Sequence, residues 1–253
     1  MNKPEAQAAR ASAERGRHEA EPAFVLHSYP FSETSLIVEA FTRNFGRMGL
    51  VARGARRPKS GVRGLLLPFQ PLLLSWSGKA ELRTLTRAEW QGGQPPLAGL
   101  ALISGFYLNE LLLKLLARDD PHERLFDYYQ ASLAGLSRGR ELPAVLRRLE
   151  LRLLAELGYG LLLDREADGG APVIPERTYA YVPERGPVPV ADGGAAETTV
   201  ELRGKTLLDM ARDDYSDPVT QVQSKTLMRL VINLHLGGAT LHTRQLLRDL
   251  KEL

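Results

Sequence analysis

The sequence contains no cysteine among its 253 residues, which excludes disulfides, thiolate-bound zinc, iron–sulfur clusters and cysteine nucleophiles. It also lacks a long uninterrupted apolar run. The most apolar segment, Ala101–Ala117, contains Asn109, Glu110 and Lys114, so we expect a buried helix there and no membrane span. The first twenty residues have no apolar stretch of the signal-peptide kind, and their small and charged residues predict a disordered tail over residues 1–20.

Acidic residues are also absent from one long stretch. Between Ala40 and Ala80 there is no Asp or Glu, although the whole chain is nearly balanced, with a formal net charge of +3. The cations of this stretch are Arg43, Arg47, Arg53, Arg56, Arg57, Lys59, Arg63 and Lys79. Positive charge without local counter-charge is typical of proteins that bind a polyanion. We therefore predict a nucleic-acid-binding surface here.

Residues 21–90 have the pattern of a small β-barrel. Five short runs rich in β-branched, aromatic and leucine residues are separated by Pro, Gly and Ser. They read AFVLHSY, TSLIVEAFT, GRMGLVARG, PFQPLLLSW and KAELRTLTRAE. Five strands in this length fit the OB-fold, and the pattern alone leaves an SH3-like barrel open.

The rest of the chain changes to helical periodicity. After a linker at residues 91–99 (QGGQPPLAG), residues 100–253 predict a mainly α-helical domain, with a Gly/Pro-rich loop insertion at residues 164–198. Leucines spaced for helices occupy Ala101–Ala117, Glu123–Leu136, Pro143–Leu157 and Lys225–Leu236, and a last helix is expected from Thr243. One short strand is expected at Thr178–Val182 within the insertion. The predicted fold class is therefore α+β, with more than one domain.

The candidate DNA-binding residues are cations. The segment VARGARRPKSGVRG carries five of them in a Gly- and Pro-broken loop, and Arg47 and Arg53 lie on the solvent face of the strand before it. Eight of the 17 aromatic residues lie within residues 21–90, including Tyr29 and Phe31. Cations that contact phosphates and rings that stack on bases are how single strands are bound without sequence preference. The predicted DNA-binding residues are Arg43, Arg47, Arg53, Arg56, Arg57, Lys59 and Arg63, with Lys225, Arg229, Arg244 and Arg248 on two C-terminal helix faces.

A second candidate site lies at Arg147 and Arg148, within LRRLELRLL. An apolar groove with a guanidinium at its rim would suit a peptide that ends in a hydrophobic residue and a carboxylate, whereas an amphipathic helix alone would also explain the pattern.

Signals for catalysis are poor. The five histidines show no metal-ligand spacing, and RGKT at Arg203–Thr206 lacks the glycine that a phosphate-binding loop requires, because Thr199 occupies that position. We expect no enzymatic activity, no metal and no cofactor.

The residues resemble a known family. The segment AFVLHSYPFSETSLIVEAFTRNFGRMGLVARGARRPKSGVRGLLLPFQPLLL is similar to the N-terminal domain of the bacterial recombination and DNA-repair mediator RecO. FYLNELL, LRRLELRLLAELGYG and LMRLVINLHLGGATLHTRQLL continue the resemblance in the family's order, from about Ala23 to Leu247.

The resemblance implies a role in the RecF pathway of gap and double-strand-break repair. RecO proteins bind single- and double-stranded DNA, anneal complementary strands and, with RecR, help RecA replace single-strand-binding protein (SSB). They also engage the SSB C-terminal tail, for which the resemblance implies Arg147 as a carboxylate partner. It further implies a cytoplasmic, nucleoid-associated protein with functional links to RecA and RecF and none to membranes.

One departure from the family concerns the insertion. Some RecO members carry a four-cysteine zinc site in the region that matches residues 164–198, and this chain has no cysteine. We therefore expect the insertion to be held by packing or to be mobile. Two other functions stay open from the residues alone: an RNA-binding OB-fold protein, and a non-catalytic scaffold that links repair proteins.

Overall fold

The computed structural model describes residues 16–190 and 199–249, excluding the side chains of residues 247–249. Residue contacts divide the chain into two compact units, Met1–Arg138 and Gly139–Leu253. Each unit is described by itself below.

The N-terminal unit contains a closed five-stranded barrel. Its strands are β1 (Arg17–Phe31), β2 (Ser35–Thr42), β3 (Gly46–Ala52), β4 (Leu72–Ser77) and β5 (Leu82–Trp90). They are arranged in the order β1-β2-β3-β5-β4, and β4 closes the barrel on β1. All pairs are antiparallel except β3 with β5. A one-turn helix, α1 (Val62–Leu65), lies between β3 and β4. The predicted OB-like barrel is confirmed.

Alternating apolar residues fill the barrel. Val38 and Ala40 on β2, Leu50 on β3 and Trp76 on β4 are fully buried in one cluster. Side chains on a strand point to opposite faces in turn, so this alternation fixes which residues face outward. The outward positions on β2 and β3 include Glu39 and Arg47.

The structure corrects the start of the barrel. Residues 17–20, predicted as the end of a disordered tail, belong to β1 and pair with β4. The segment is polar and lacks the alternation that predicts a strand. It is held by the ladder and by His18, whose ring stacks on Trp76 at 5.1 Å and meets Phe45 at 4.4 Å.

Two helices, α2 (Gly99–Leu115) and α3 (Glu123–Ser137), complete this unit. Phe24 and Phe41 are buried rings on the outer face of the barrel, and both pack against Phe126 and Tyr129 of α3. The buried amide of Asn109 on α2 donates to the carbonyl of Leu26 at 2.8 Å. An outer barrel face with apolar rings needs such a cover, so α2 and α3 pack with the barrel although the predicted boundary precedes them.

The C-terminal unit mixes helices with a small sheet. Its elements are α4 (Leu142–Glu156), β6 (Thr178–Val182), β7 (Gly186–Pro189), β8 (Val200–Arg203), α5 (Gly204–Ala211), α6 (Pro218–His235) and α7 (His242–Asp249). The sheet has the order β7-β6-β8. The strand expected at Thr178–Val182 is present with the predicted bounds. Helix α6 starts earlier than predicted, after Asp217, whose carboxylate accepts from the Val219 N–H at 2.9 Å.

Packing holds the described part of the insertion. Tyr179 on β6 is completely buried, donates its hydroxyl to Glu166 at 3.1 Å and accepts from the Ile174 N–H at 2.9 Å. Part of the predicted loop is therefore ordered sheet, and residues 191–198 of the insertion lie outside the described residues.

No helix within the two described ranges is long and apolar enough to cross a membrane. In the same residues, no group of three or more His, Asp or Glu is arranged to hold a metal ion.

Candidate nucleic-acid interface

The basic loop, which comprises residues 53–63, follows β3 and leads into α1. Backbone hydrogen bonds close its turns, from the Arg57 N–H to the Gly54 carbonyl at 3.1 Å and from the Ser60 N–H to the Arg57 carbonyl at 3.0 Å. Gly54 has a φ of +68°, a conformation that favours glycine. Ala55 is completely buried in the barrel core. These contacts give the loop a defined path.

The basic loop is fastened to the turn between β1 and β2. The Arg56 N–H donates to the Thr34 carbonyl at 2.9 Å, and the Arg56 guanidinium donates to the Ser32 carbonyl, also at 2.9 Å. The loop and this turn therefore form one surface at the same end of the barrel. Arg56 thus uses two hydrogen-bond donors, its backbone N–H and its guanidinium, to hold the loop on this turn. Its positive charge is not neutralised, since both acceptors are neutral carbonyls.

Five exposed cations of the basic loop have no carboxylate partner within the described part of the chain. They are Arg53, Arg56, Arg57, Lys59 and Arg63. Exposed and unneutralised side chains of this kind are what phosphate contacts require, because each contact replaces a counter-ion of the nucleic acid.

Arg43 and Arg47, also predicted to bind DNA, differ from the loop cations in that both bind carboxylates. Arg43 binds Asp127 and Glu123 of α3, each at 3.1 Å, and hydrogen bonding to Asp127 raises its pKa above the usual value. Arg47 binds Glu39 at 2.9 Å, donates to the Leu116 carbonyl at 3.0 Å and is mostly buried. The charge of both arginines is neutralised within the unit.

The connector between α2 and α3, residues 116–120, explains this neutralisation. Arg118 binds Glu39 and Glu81, and Asp119 binds Arg83. The Asp119 N–H also donates to the Arg47 carbonyl at 2.9 Å. The connector thus covers the outer side of β3 with its own charges. The side chain of Glu39 is only 6% exposed and serves two arginines at once.

The aromatic residues of the barrel fall into two groups. Phe24, Phe41 and Trp76 are buried. Tyr29, Phe31 and Trp90 are exposed by 36, 43 and 55%. Phe69 is also buried and Phe45 packs against the barrel core, so five of the eight rings serve the core and three are exposed.

The predicted cations of the C-terminal unit occupy two helices. Lys225 and Arg229 are exposed on α6. Arg244 on α7 is half-buried and donates to Asn233 at 2.7 Å. Arg248 also lies on α7, and its side chain is outside the described residues. These four cations are therefore weaker candidates for a DNA-binding surface than the cations of the basic loop.

Arg147 and Arg148 are neighbours in α4 with opposite environments. Arg147 is 6% exposed and makes two hydrogen bonds to Glu150, at 2.5 and 2.6 Å. Arg148 is exposed and binds Asp213 at 2.7 Å. The expectation of an open guanidinium at a groove rim does not fit this geometry, because the buried carboxylate of Glu150 already binds the Arg147 guanidinium.

Sequence reasoning missed the network around Glu39. One signal was present: Glu39 is the single charge in the strand SLIVEAFT, at an outward position. An isolated charge on an apolar strand needs a partner of opposite charge when the outer face of that strand is covered. The covering segment, however, is about eighty residues away along the chain, and no local pattern identifies it.

Comparisons with known proteins cover most of the chain and agree with one another. The family model described as Recombination protein O N terminal matches residues 18–93, and Recombination protein O C terminal matches residues 97–245. The gap between the two matches, residues 94–96, falls within the segment 91–99 that was predicted as a linker, whereas packing divides the chain after Arg138.

Curated relatives are similar over nearly their full lengths. DNA repair protein RecO of Nitrosospira multiformis is 57% identical over 240 residues, which cover 95% of this chain and 99% of that protein. The RecO proteins of Aromatoleum aromaticum and Dechloromonas aromatica are 53% and 52% identical, with 95% and 94% of this chain and 99% of each relative covered.

Proposed function

The chain belongs to the RecO family of DNA repair proteins, and from that membership we propose that it is a DNA-binding mediator of gap and double-strand-break repair in the RecF pathway. In this proposal it binds single- and double-stranded DNA and anneals complementary strands. With RecR, it helps to load RecA onto single strands coated with SSB. A role on chromosomal DNA would place it in the cytoplasm, at the nucleoid.

The observation that carries the proposal is the set of exposed, unneutralised cations on the basic loop. Two DNA strands repel each other through their phosphates. A positive surface that contacts both strands lowers the free energy needed to bring them together, and base pairing then supplies the sequence specificity. The protein therefore needs no base readout of its own.

The salt dependence of binding tests the DNA contact. If the five loop cations contact single-strand phosphates, the logarithm of the affinity should fall against the logarithm of salt concentration with a slope of about −3.5, at roughly −0.7 per contact. The variant Arg56→Ala/Arg57→Ala/Lys59→Ala should flatten that slope by about 2. All three side chains are exposed, and within the described residues only Arg56 loses a hydrogen bond, the exposed one to the Ser32 carbonyl, so the melting temperature should fall only slightly.

Strand annealing supplies the functional readout. The same triple variant should anneal complementary strands more slowly than the parent, and the deficit should shrink as salt rises and screens the loop. Unchanged salt slope and annealing in the triple variant would exclude the basic loop as the DNA contact. RNA of the same sequence used as a competitor tests the RNA-binding alternative, and a protein that only links others would bind no strand even at low salt.

The proposed contact with the SSB tail cannot use Arg147 as it stands, because that side chain would first have to leave Glu150. Arg147→Leu would leave a buried carboxylate without its partner, which costs about 3–5 kcal/mol, so loss of tail binding in this variant would reflect unfolding. Arg148→Leu keeps the buried pair and tests the exposed neighbour. Tail-peptide binding equal to that of the parent would place the contact elsewhere.

No covalent step belongs to this proposal. Assays for nuclease and ATPase activity on the purified protein test that directly, and activity that survives further purification would contradict a purely binding role.

A further inference from the structure

Three rings lie in a row on the outer face of β1. His27, Tyr29 and Phe31 occupy alternate positions and all three are exposed. They face outward because the register of β1 against β2 shifts between Val25 and His27. Val25 points into the core, and without this bulge the three rings would share its inward face.

The neighbouring strand β2 flanks the row with buried residues. Glu39, Ile37 and Ser35 of β2 lie opposite the three rings in turn. The carboxylate of Glu39 would repel phosphates, but Arg47 and Arg118 neutralise it. The Tyr29 hydroxyl donates to the same carboxylate at 3.3 Å. Tyr29 is thereby anchored at its hydroxyl while its ring stays partly exposed.

The row ends at the basic loop. Phe31 directly precedes Ser32, whose carbonyl accepts from the Arg56 guanidinium. Arg56 also bonds Thr34 through its backbone. The last ring and the first unneutralised cations are therefore fixed to each other by the turn between β1 and β2. Rings beside cations form the combination that recognises a nucleic acid with unpaired bases.

We propose that His27, Tyr29 and Phe31 form a stacking surface for the bases of a single DNA strand whose phosphates contact the basic loop. This assignment rests on the proposed DNA-binding function and adds the residues that distinguish a single strand from a duplex. In a duplex the base faces are covered by their neighbours, so the rings contribute only to unpaired DNA.

The spacing of the rings has a consequence for annealing. The centroids of His27 and Tyr29 are 5.9 Å apart, whereas stacked bases in a DNA strand are separated by about 3.4 Å. Bases that lie on His27 and Tyr29 would therefore be too far apart to stack on each other. The strand is held extended, and the base edges stay open to a complementary strand.

A comparison of two ligands tests the stacking surface. One is a dT oligonucleotide, and the other is an abasic strand with the same number of phosphates. Stacking on an aromatic residue strengthens binding by about 5- to 150-fold per base. Phe31→Leu should weaken binding of the dT strand by about tenfold, in the lower part of that range because Phe31 is only partly exposed, and should leave abasic-strand binding unchanged. Phe31→Trp should restore binding.

Phe106 offers a matched control. It is 41% exposed, against 43% for Phe31, and lies on α2, where its ring packs on Phe69 at 5.0 Å. Phe106→Leu should bind both strands like the parent. Equal losses in Phe31→Leu and Phe106→Leu, or a loss in Phe31→Leu that is the same for the abasic strand, would overturn the stacking surface.

Failure of this inference is distinguishable from failure of the proposed function. If only the stacking surface is wrong, Phe31→Leu has no selective effect, yet the triple loop variant still weakens binding to both strands. If the basic loop does not bind DNA, the loop variant leaves abasic-strand binding unchanged. Tighter binding of an RNA strand than of DNA, with the same dependence on Phe31, would overturn the assignment of DNA as the ligand.

Discussion

The N-terminal unit carries two sets of cations that look alike in sequence and differ in structure. The cations of the barrel wall, Arg43, Arg47 and Arg83, are each bound to carboxylates. The cations of the basic loop have no carboxylate partner in the described residues. The carboxylates that neutralise the wall come from Glu39, just before the acid-free stretch, and from the α2–α3 region, about 40 residues beyond its end. The number of cations in a run without acidic residues therefore overstates the positive charge that is available to a ligand.

The largest effect is expected from removing a carboxylate of the barrel wall. Glu39→Gln leaves the mostly buried Arg47 without a counter-charge and should lower the free energy of unfolding by about 3 kcal/mol. Glu33→Gln is the matched control, since it makes the same change in the exposed turn of the same hairpin. Its free energy of unfolding should stay within about 0.5 kcal/mol of the parent. Denaturant unfolding of both variants measures this, and equal stabilities would mean that the wall is not held by its ion pairs.

A smaller effect is expected when a wall cation is released. Glu123→Gln/Asp127→Asn removes both partners of Arg43 and leaves its charge exposed. If neutralisation alone keeps the wall cations from binding phosphates, Arg43 becomes available for one more phosphate contact in this variant. The salt slope should then steepen by about 0.7. An unchanged slope with an intact fold would show that position, and not neutralisation, keeps Arg43 from DNA.

The smallest effect is expected at Glu33. This carboxylate is exposed on the turn to which the basic loop is fastened, where it would repel the phosphates of a bound strand. Glu33→Gln should strengthen single-strand binding about two- to threefold, the range of an exposed charge pair, and less at high salt because exposed charges are screened. Weaker binding in this variant would mean that the carboxylate orders the loop.

The barrel could be predicted from the sequence because its signals are local. Alternation such as Val38, Ala40 in β2 and Met48, Leu50 in β3 sets both the strands and their inner face. The strand Thr178–Val182 was found for the same reason. The start of β1 was missed because a polar segment such as RHEAE is held in place by ladder hydrogen bonds to β4 rather than by its own pattern.

The site was only half predictable. The loop cations could be identified, since a Gly- and Pro-rich segment without acidic residues keeps its charge on the surface. The ion pairs of Arg47 and Arg147 could not be predicted, because each depends on a buried carboxylate, Glu39 or Glu150, that only packing brings into place. The row of rings on β1 depends on a bulge at Leu26, which no feature of the sequence marks.

The most direct test of the account removes two positive charges from each set and compares the salt dependence of single-strand binding. Arg56→Gln/Arg57→Gln removes two loop cations, and Arg43→Gln/Arg83→Gln removes two wall cations. The account predicts that the slope changes from about −3.5 to about −2.1 in the loop variant and stays near −3.5 in the wall variant. Equal changes in the two variants would contradict it.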